Sequence, residues 1–185
     1  LTKVRAAAIC GTDVHINHWD DWSEKRVVPG TIIGHEFAGE VVETGSDVKS
    51  IKVGDIVSAE SHIVCHTCEM CHMGHQHVCY NTKLFGVNVN GCFAEYAIVP
   101  EENAFLCDPA VPVEISSIMD PRGVAIHGIM EFPVAGKTVA IIGCGPIGAM
   151  AVAVAKKAGA AKVIALEPNE MRGKMALQMG ADHLV

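Results

Sequence analysis

The 185-residue chain is half hydrophobic, contains 18 glycines and only 5% aromatic residues, and carries a formal charge of −7. This balance excludes a disordered segment and a disulfide miniprotein, and fits a Val/Ile/Ala-rich α/β protein. With no basic run there is no electrostatic footprint for nucleic acid or an anionic membrane. The longest apolar stretches, such as residues 147–155, are too short to span a bilayer, so a cytoplasmic protein with neither nucleic-acid nor membrane partner is expected.

The first 110 residues alternate short Val- and Ile-rich runs, Gly39 to Val42 and Ile51 to Val57, with turn pairs such as Gly45-Ser46 and Gly54-Asp55, predicting strands of a β-rich domain. Within them, Cys10-Gly11-Thr12-Asp13-Val14-His15 and Gly34-His35-Glu36 set a thiol, imidazoles and carboxylates in what read as two short loops. Taken alone, neither segment establishes a site.

Cys65, Cys68, Cys71 and Cys79 fall within 15 residues. At these spacings tight turns can wrap four thiolates around one tetrahedral ion, and zinc held by four cysteines has no open position, so the site reads as structural. An iron–sulfur cluster is the chemical rival. His62, His66, His72, His75 and His77 surround this lobe and read as solvated loop residues. Cys92, Cys107 and Cys144 read as small core residues.

From Pro112 the periods lengthen. Helix is predicted over 113–118 and 123–130, interrupted at Asp120-Pro121 because a residue preceding proline is pushed out of the α region. A buried strand follows at 138–142, then helix 146–158, strand 162–166, helix 169–179 and the start of a third strand at His183. This β-α-β-α order predicts a parallel sheet with crossover helices, of which the chain holds about the first half.

Between the first strand and its helix stands Gly143-Cys144-Gly145-Pro146-Ile147-Gly148, a GxGxxG, with Glu167 nineteen residues past the last glycine. Such a turn lets a pyrophosphate approach the backbone at a helix N-terminus. A carboxylate at Glu167 accepts hydrogen bonds from ribose hydroxyls and repels a 2′-phosphate, favouring NAD over NADP. Arg172, five residues on, is either a solvated charge or a second cofactor contact that could reach a 2′-phosphate.

The order of these features resembles the medium-chain zinc alcohol dehydrogenase family. Gly34-His35-Glu36-x2-Gly39-x5-Gly45-x2-Val48 matches its zinc signature, Val53-Gly54-Asp55-x-Val57 follows, and the cysteine lobe and GxGxxG arrive in the family's order. The resemblance implies a GroES-like catalytic domain over residues 1–112, with the zinc lobe at about 60–80, and the first half of a Rossmann NAD-binding domain over 113–185. It implies two zinc ions per chain, one structural and one catalytic. The catalytic ion would be held by Cys10 and His35 with either Glu36 or Asp120 as a further ligand. Thr12 and His15 would relay the substrate proton by way of the cofactor ribose.

Trp19-Asp20-Asp21-Trp22-Ser23 and Asn88-x2-Gly91-Cys92-Phe93-Ala94-Glu95-Tyr96 resemble most the threonine-oxidising branch of that family. This implies NAD-linked oxidation of an amino-alcohol's secondary hydroxyl, in a homo-oligomer, as a tetramer, when full length. Sorbitol and butanediol dehydrogenases share the zinc and NAD machinery. Val124 departs from the polar residue common at that turn in the threonine branch. A non-catalytic zinc- and nucleotide-binding protein on the same fold is the alternative from another functional class.

Overall fold

The computed structural model describes residues 1–185, and the chain divides into two compact units, Leu1–Asp120 and Pro121–Val185. No helix is long and apolar enough to cross a membrane.

In the first unit, β1 (Thr2–Ala8) leads through α1 (Gly11–His18) and α2 (Asp21–Glu24) to β2 (Glu36–Val41) and β3 (Ile56–Ala59). The cysteine lobe follows, with β4 (His62–Ile63), α3 (Glu69–His72) and β5 (Lys83–Leu84). Then come β6 (Tyr96–Ala97), β7 (Ala104–Leu106) and α4 (Val113–Ser116). Five strands form one sheet in the order β6-β1-β2-β3-β7, antiparallel throughout. The pairing of β1 with β2 slips at Arg5, between Val4 and Ala6, the extra residue of a bulge that bends the strand. Phe37, Ala59, Phe85, Cys92 and Ala97 form the core against this sheet, and α4 packs across β1, β2 and β3. A second cluster, Ile16, Val27 and Val87, seats α1.

In the second unit, α5 (Met119–Met130) carries the chain across the boundary into β8 (Thr138–Ile142), α6 (Pro146–Lys157), β9 (Lys162–Leu166), α7 (Glu170–Gln178) and β10 (His183–Leu184). The sheet is parallel in the order β10-β9-β8, as the alternating pattern predicts. Its core of Val152, Ala155, Val163, Ala165 and Ala176 is almost entirely sequestered. Asn169 caps α7 by accepting the Arg172 amide, which accounts for the helix starting one residue later than its apolar pattern.

Three sequence expectations are corrected. Asp120-Pro121 does not interrupt a helix; both residues lie in the first turn of a continuous α5, where the amide that proline lacks has no intrahelical acceptor. Cys10–His15 is not a loop, because Cys10 caps α1 and Thr12 and His15 ride on that helix. The predicted strand at 51–57 is displaced to 56–59, since Lys52 and Asp55 close a turn through Lys52 N to Asp55 Oδ2 (2.9 Å) and Asp55 N to Lys52 O (3.1 Å).

Candidate metal centres and cofactor cleft

His35 owes its position to backbone contact. Segment 32–34 runs beside 91–93, with Gly91 N donating to Ile32 O (2.7 Å), Cys92 N to Gly34 O (2.9 Å) and Phe93 N to Ile33 O (2.9 Å). A Cβ on Gly91 would stand 1.9 Å from the Gly34 carbonyl oxygen, so glycine is the only residue that allows this approach. His35 follows at once and Glu36 opens β2, both buried at 7% and 6% exposure. Cys10 arrives from the end of β1 as the cap of α1.

These elements bring the ligand atoms of Cys10, His35 and Glu36 within 4.8 Å of one another. Asp120 is not among the converging atoms. Its Oδ1 accepts the Ser61 amide at 3.4 Å, and its charge reaches His35 from half-buried surroundings. Asp13, a buried acid in the first turn of α1 whose role no spacing in the sequence signals, joins the cluster. Its Oδ2 accepts the Cys10 amide (2.8 Å), and its Oδ1 lies 3.8 Å from His35 Nδ1.

The electrostatics of the cluster call for a cation. Asp13 Oδ1 and His35 Nδ1 are both buried without a hydrogen-bond partner. Burial pushes the Glu36 and Asp120 carboxyls above their ordinary range, Glu60 adding its charge at Asp120. The His35 hydrogen bond holds the Cys10 thiol below its usual value. Burial alone would lower His35, but Cys10 and then the Asp13 charge outweigh it and raise the imidazole. Three acids and a thiolate around one histidine form an uncompensated negative site. A divalent ion on sulfur, nitrogen and oxygen donors compensates it, and one such set with an open position is the ligand chemistry of catalytic zinc.

Thr12 Oγ1 lies 3.8 Å from the Cys10 sulfur, and His15 is exposed one turn along α1. His15 Nδ1 meets Asp20 Oδ2 at 2.5 Å.

The four lobe cysteines converge as their spacing predicts. Sulfur separations of 3.5 Å (Cys68–Cys71), 3.8 Å (Cys68–Cys79) and 3.5 Å (Cys65–Cys79) lie near the edge of a tetrahedron of sulfurs about 2.3 Å from a central zinc, roughly 3.8 Å. Asn81 Nδ2 and Thr67 Oγ1 lie 3.5 Å from Cys65 Sγ, and the amides of Cys65 and Asn81 donate to Cys79 Sγ at 3.4 Å. The Thr67 contacts and then Asn81 bring Cys65 down to about 5, whereas burial and the Cys68 and Cys79 thiols push Cys71 up to about 12. Four thiolates share this space only with positive charge between them. Of the neighbouring histidines, His62 pairs with Glu60 (2.5 Å) and His66 with Glu102 (2.6 Å).

In the second unit, Gly143 takes φ +82°, Gly145 caps α6 and Pro146 begins it. A Cβ on Gly148 would sit 2.0 Å from Gly143 O, so the last glycine permits the tight strand-to-helix turn. Gly143, Gly145, Ile147 and Gly148 face Val124 and Gly128 of α5 across a cleft of about 670 Å3. Glu167 is buried, its side chain 3% exposed, with Oε2 accepting the Cys144 amide (2.8 Å) and Oε1 accepting Asn169 N (2.9 Å) and the Arg172 guanidinium (2.9 Å). Arg172, and then these amides, hold the Glu167 carboxyl down to about 2. Arg172 is therefore not a free solvated charge, and Glu167 organises the glycine turn itself, a role the spacing alone did not reveal.

Residues 1–109 match the model of the alcohol dehydrogenase GroES-like domain, and residues 146–185 that of the zinc-binding dehydrogenases. The chain belongs to the zinc-binding alcohol dehydrogenase family. Along its whole length it is 54% identical to L-threonine 3-dehydrogenase of Symbiobacterium thermophilum and 50% to that of Caldanaerobacter subterraneus, covering 53% of each. The chain thus spans about half the length of the curated relatives it matches. It superimposes over its full length, with a TM-score of 0.93 and 36% identity, on 53% of a Sinorhizobium meliloti protein described as a zinc-binding dehydrogenase and crystallised with NADP. It is also similar to an alcohol dehydrogenase of Thermus sp. ATN1 (TM-score 0.87, 32% identity, 98% of this chain and 54% of that one). Both units therefore occur together, in this order, in dehydrogenases.

Proposed function

We propose that the full-length protein is a zinc- and NAD-dependent alcohol dehydrogenase that oxidises the 3-hydroxyl of L-threonine to 2-amino-3-oxobutanoate. Residues 1–120 would form its catalytic domain, since α4 packs on the sheet of the first unit, and 121–185 would begin its cofactor domain. The observation that carries this reading is the convergence of Cys10, His35 and Glu36 donor atoms within 4.8 Å in a buried, negatively charged cluster. The substrate assignment is supported by relatives of 48–54% identity that bear the name L-threonine 3-dehydrogenase. A small-molecule substrate, a cytoplasmic setting and a homotetramer, with no nucleic-acid or membrane partner, complete the proposal.

When bound, zinc supplies a Lewis acid for the substrate oxygen, and NAD supplies the hydride acceptor. Cys10, His35 and Glu36 would hold the metal, and Asp13 would orient His35 from behind. Asp120, whose carboxylate does not converge with those three donors, would act on His35 by charge and not as a ligand. Thr12 beside Cys10 would receive the substrate proton, and His15, exposed on the same helix, would pass it to water. Gly143, Gly145, Pro146, Ile147 and Gly148 would cradle the pyrophosphate, with the Glu167–Arg172 pair behind the turn and toward the adenosine ribose. The four lobe cysteines would hold the second zinc permanently.

The test is NADH formation by the full-length protein from L-threonine, sorbitol and 2,3-butanediol, each with NAD and with NADP. The highest kcat/KM is expected with L-threonine and NAD. A preference for a polyol or diol would overturn the substrate assignment. Because Arg172 opposes the Glu167 charge, discrimination against NADP is expected to be modest, and equal use of both cofactors would overturn the NAD assignment. Zinc and nucleotide binding without turnover of any alcohol would return the non-catalytic alternative.

A further inference from the structure

We infer that Asp20 is the positioning residue for His15, fixing the imidazole as the Nδ1–H tautomer so that Nε2 is the ring's free proton acceptor. This rests on the proton-relay reading of His15 given above and adds to it the residue that prepares the ring.

The geometry is local and doubly anchored. α1 ends at Trp19, whose left-handed backbone (φ 49°, ψ 49°) turns the chain so that the next residue returns toward the helix it has just left. That residue, Asp20, caps α2. Its Oδ1 accepts both the amide (3.0 Å) and the hydroxyl (2.9 Å) of Ser23, a fully buried residue. With Oδ1 so occupied, Oδ2 is left to face His15 Nδ1 at 2.5 Å. The Ser23 amide, and then His15, draw the Asp20 carboxyl down to about 2, so it stays a carboxylate at any pH at which the enzyme would work. A carboxylate can only accept, so Nδ1 must donate, and the lone pair of the neutral ring resides on Nε2.

Other charges around the ring are turned elsewhere. On α1, Asp13 is buried toward Cys10 and His35, and His18 lies a turn along the helix. On α2 and just beyond it, Asp21, Glu24 and Lys25 are exposed, and none is bonded to His15. In the proposed reaction the proton lost by the substrate hydroxyl forms the Nε2–H bond. The ring then carries one positive charge, offset by Asp20, and yields the same proton to water.

Asp20→Asn tests this while preserving the helix cap, since asparagine caps as well as aspartate. If the amide oxygen keeps the two Ser23 bonds, the amide nitrogen faces Nδ1 and forces the opposite tautomer. In the full-length protein, 15N spectra of labelled histidine at alkaline pH should give His15 as the Nδ1–H tautomer in the parent and Nε2–H in the variant. For the oxidation proposed above, kcat should fall roughly 10-fold or more with KM little changed, and Asp20→Glu should recover part of the loss. An Nε2–H ring in the parent protein, or an Asp20→Asn variant with full kcat, overturns the inference. The tautomer is read without turnover, so absence of any dehydrogenase activity would fail the proposed function without being mistaken for a failed Asp20–His15 pair.

Discussion

The two candidate metal centres of the first unit are built in opposite ways. The cysteine lobe draws its four donors from 15 consecutive residues, folded by α3 and tight turns, with amides and side chains of the same segment directed at the sulfurs. The Cys10–His35–Glu36 cluster draws on the end of β1, the start of β2 and, for its surrounding charge, Asp13 on α1 and Asp120 on α5. It depends on the whole sheet and on the glycine contact between Gly34 and Gly91. The local centre has no open position and is suited to holding structure. With three converging donors instead of four, the distributed one would leave a zinc ion one coordination position open, and its geometry is only as good as the fold around it.

The largest effect that separates them is on activity. Cys10→Ser or His35→Ala should remove one zinc per chain and lower turnover by at least about a thousandfold, leaving the fold intact. Cys68→Ser should remove the other zinc and instead lower thermal stability or assembly. Metal analysis and thermal denaturation of the full-length variants check both. Cys10→Ser with undiminished zinc would erase the distinction. Within the distributed centre, Glu36→Gln should weaken metal binding more than Asp120→Asn, because only Glu36 converges with Cys10 and His35. The reverse order would make Asp120 the ligand.

That contrast also explains what the sequence could convey. Cysteine spacing and the GxGxxG are local, so Cys65, Cys68, Cys71, Cys79 and the Gly143–Gly148 turn were legible residue by residue, as was the parallel β8-α6-β9-α7-β10 order. The Cys10–His35–Glu36 cluster became legible only through family resemblance, because nothing in the spacing of Cys10 from His35 and Glu36 requires them to meet. Asp13, Asp20 and the bond from Glu167 to the Cys144 amide went unread for a related reason. Each is an ordinary acid whose meaning lies in the atom it faces. Asp20 left one local trace, an Asp-x-x-Ser cap directly after a helix bearing a histidine. The Asp120-Pro121 break was misread because proline stops a helix in its interior but not in its first turn.

A smaller effect should come from Gly91→Ala, which alters no ligand. The new Cβ, 1.9 Å from Gly34 O and 2.6 Å from Gly86 Cα, forces backbone to move, at a cost of about 1–3 kcal/mol. The shift acts on the segment that ends in His35, so zinc affinity should fall at the distributed centre and not at the lobe. Competition with a chelator, counting the zinc released in two stages, reads this. Equal release from both centres would mean that Gly91 serves the fold alone.

The smallest expected effect lies in the second unit and is a matter of pH. Glu167 sits at about 2 in the folded protein against an ordinary value of 4.5, held there by Arg172 and by the Asn169 and Cys144 amides. A depressed carboxyl contributes stability that is fully present above its unfolded value and is lost as pH falls toward the folded one. The glycine turn should therefore be firm at neutral pH and loosen between about 4.5 and about 2. Asp182, bonded to Val163 N and Lys156, is depressed too and adds to any global measurement. A local reading is needed, and the Cys144 amide provides it, since its hydrogen bond goes directly to Glu167. Its protection from hydrogen exchange, corrected for the intrinsic rate, should decline across that window in the parent protein. In Glu167→Gln it should be lower at neutral pH and nearly flat on acidification. A Cys144 amide as protected in the variant as in the parent would mean that the turn is held by its glycines and the α6 cap, without help from the carboxylate.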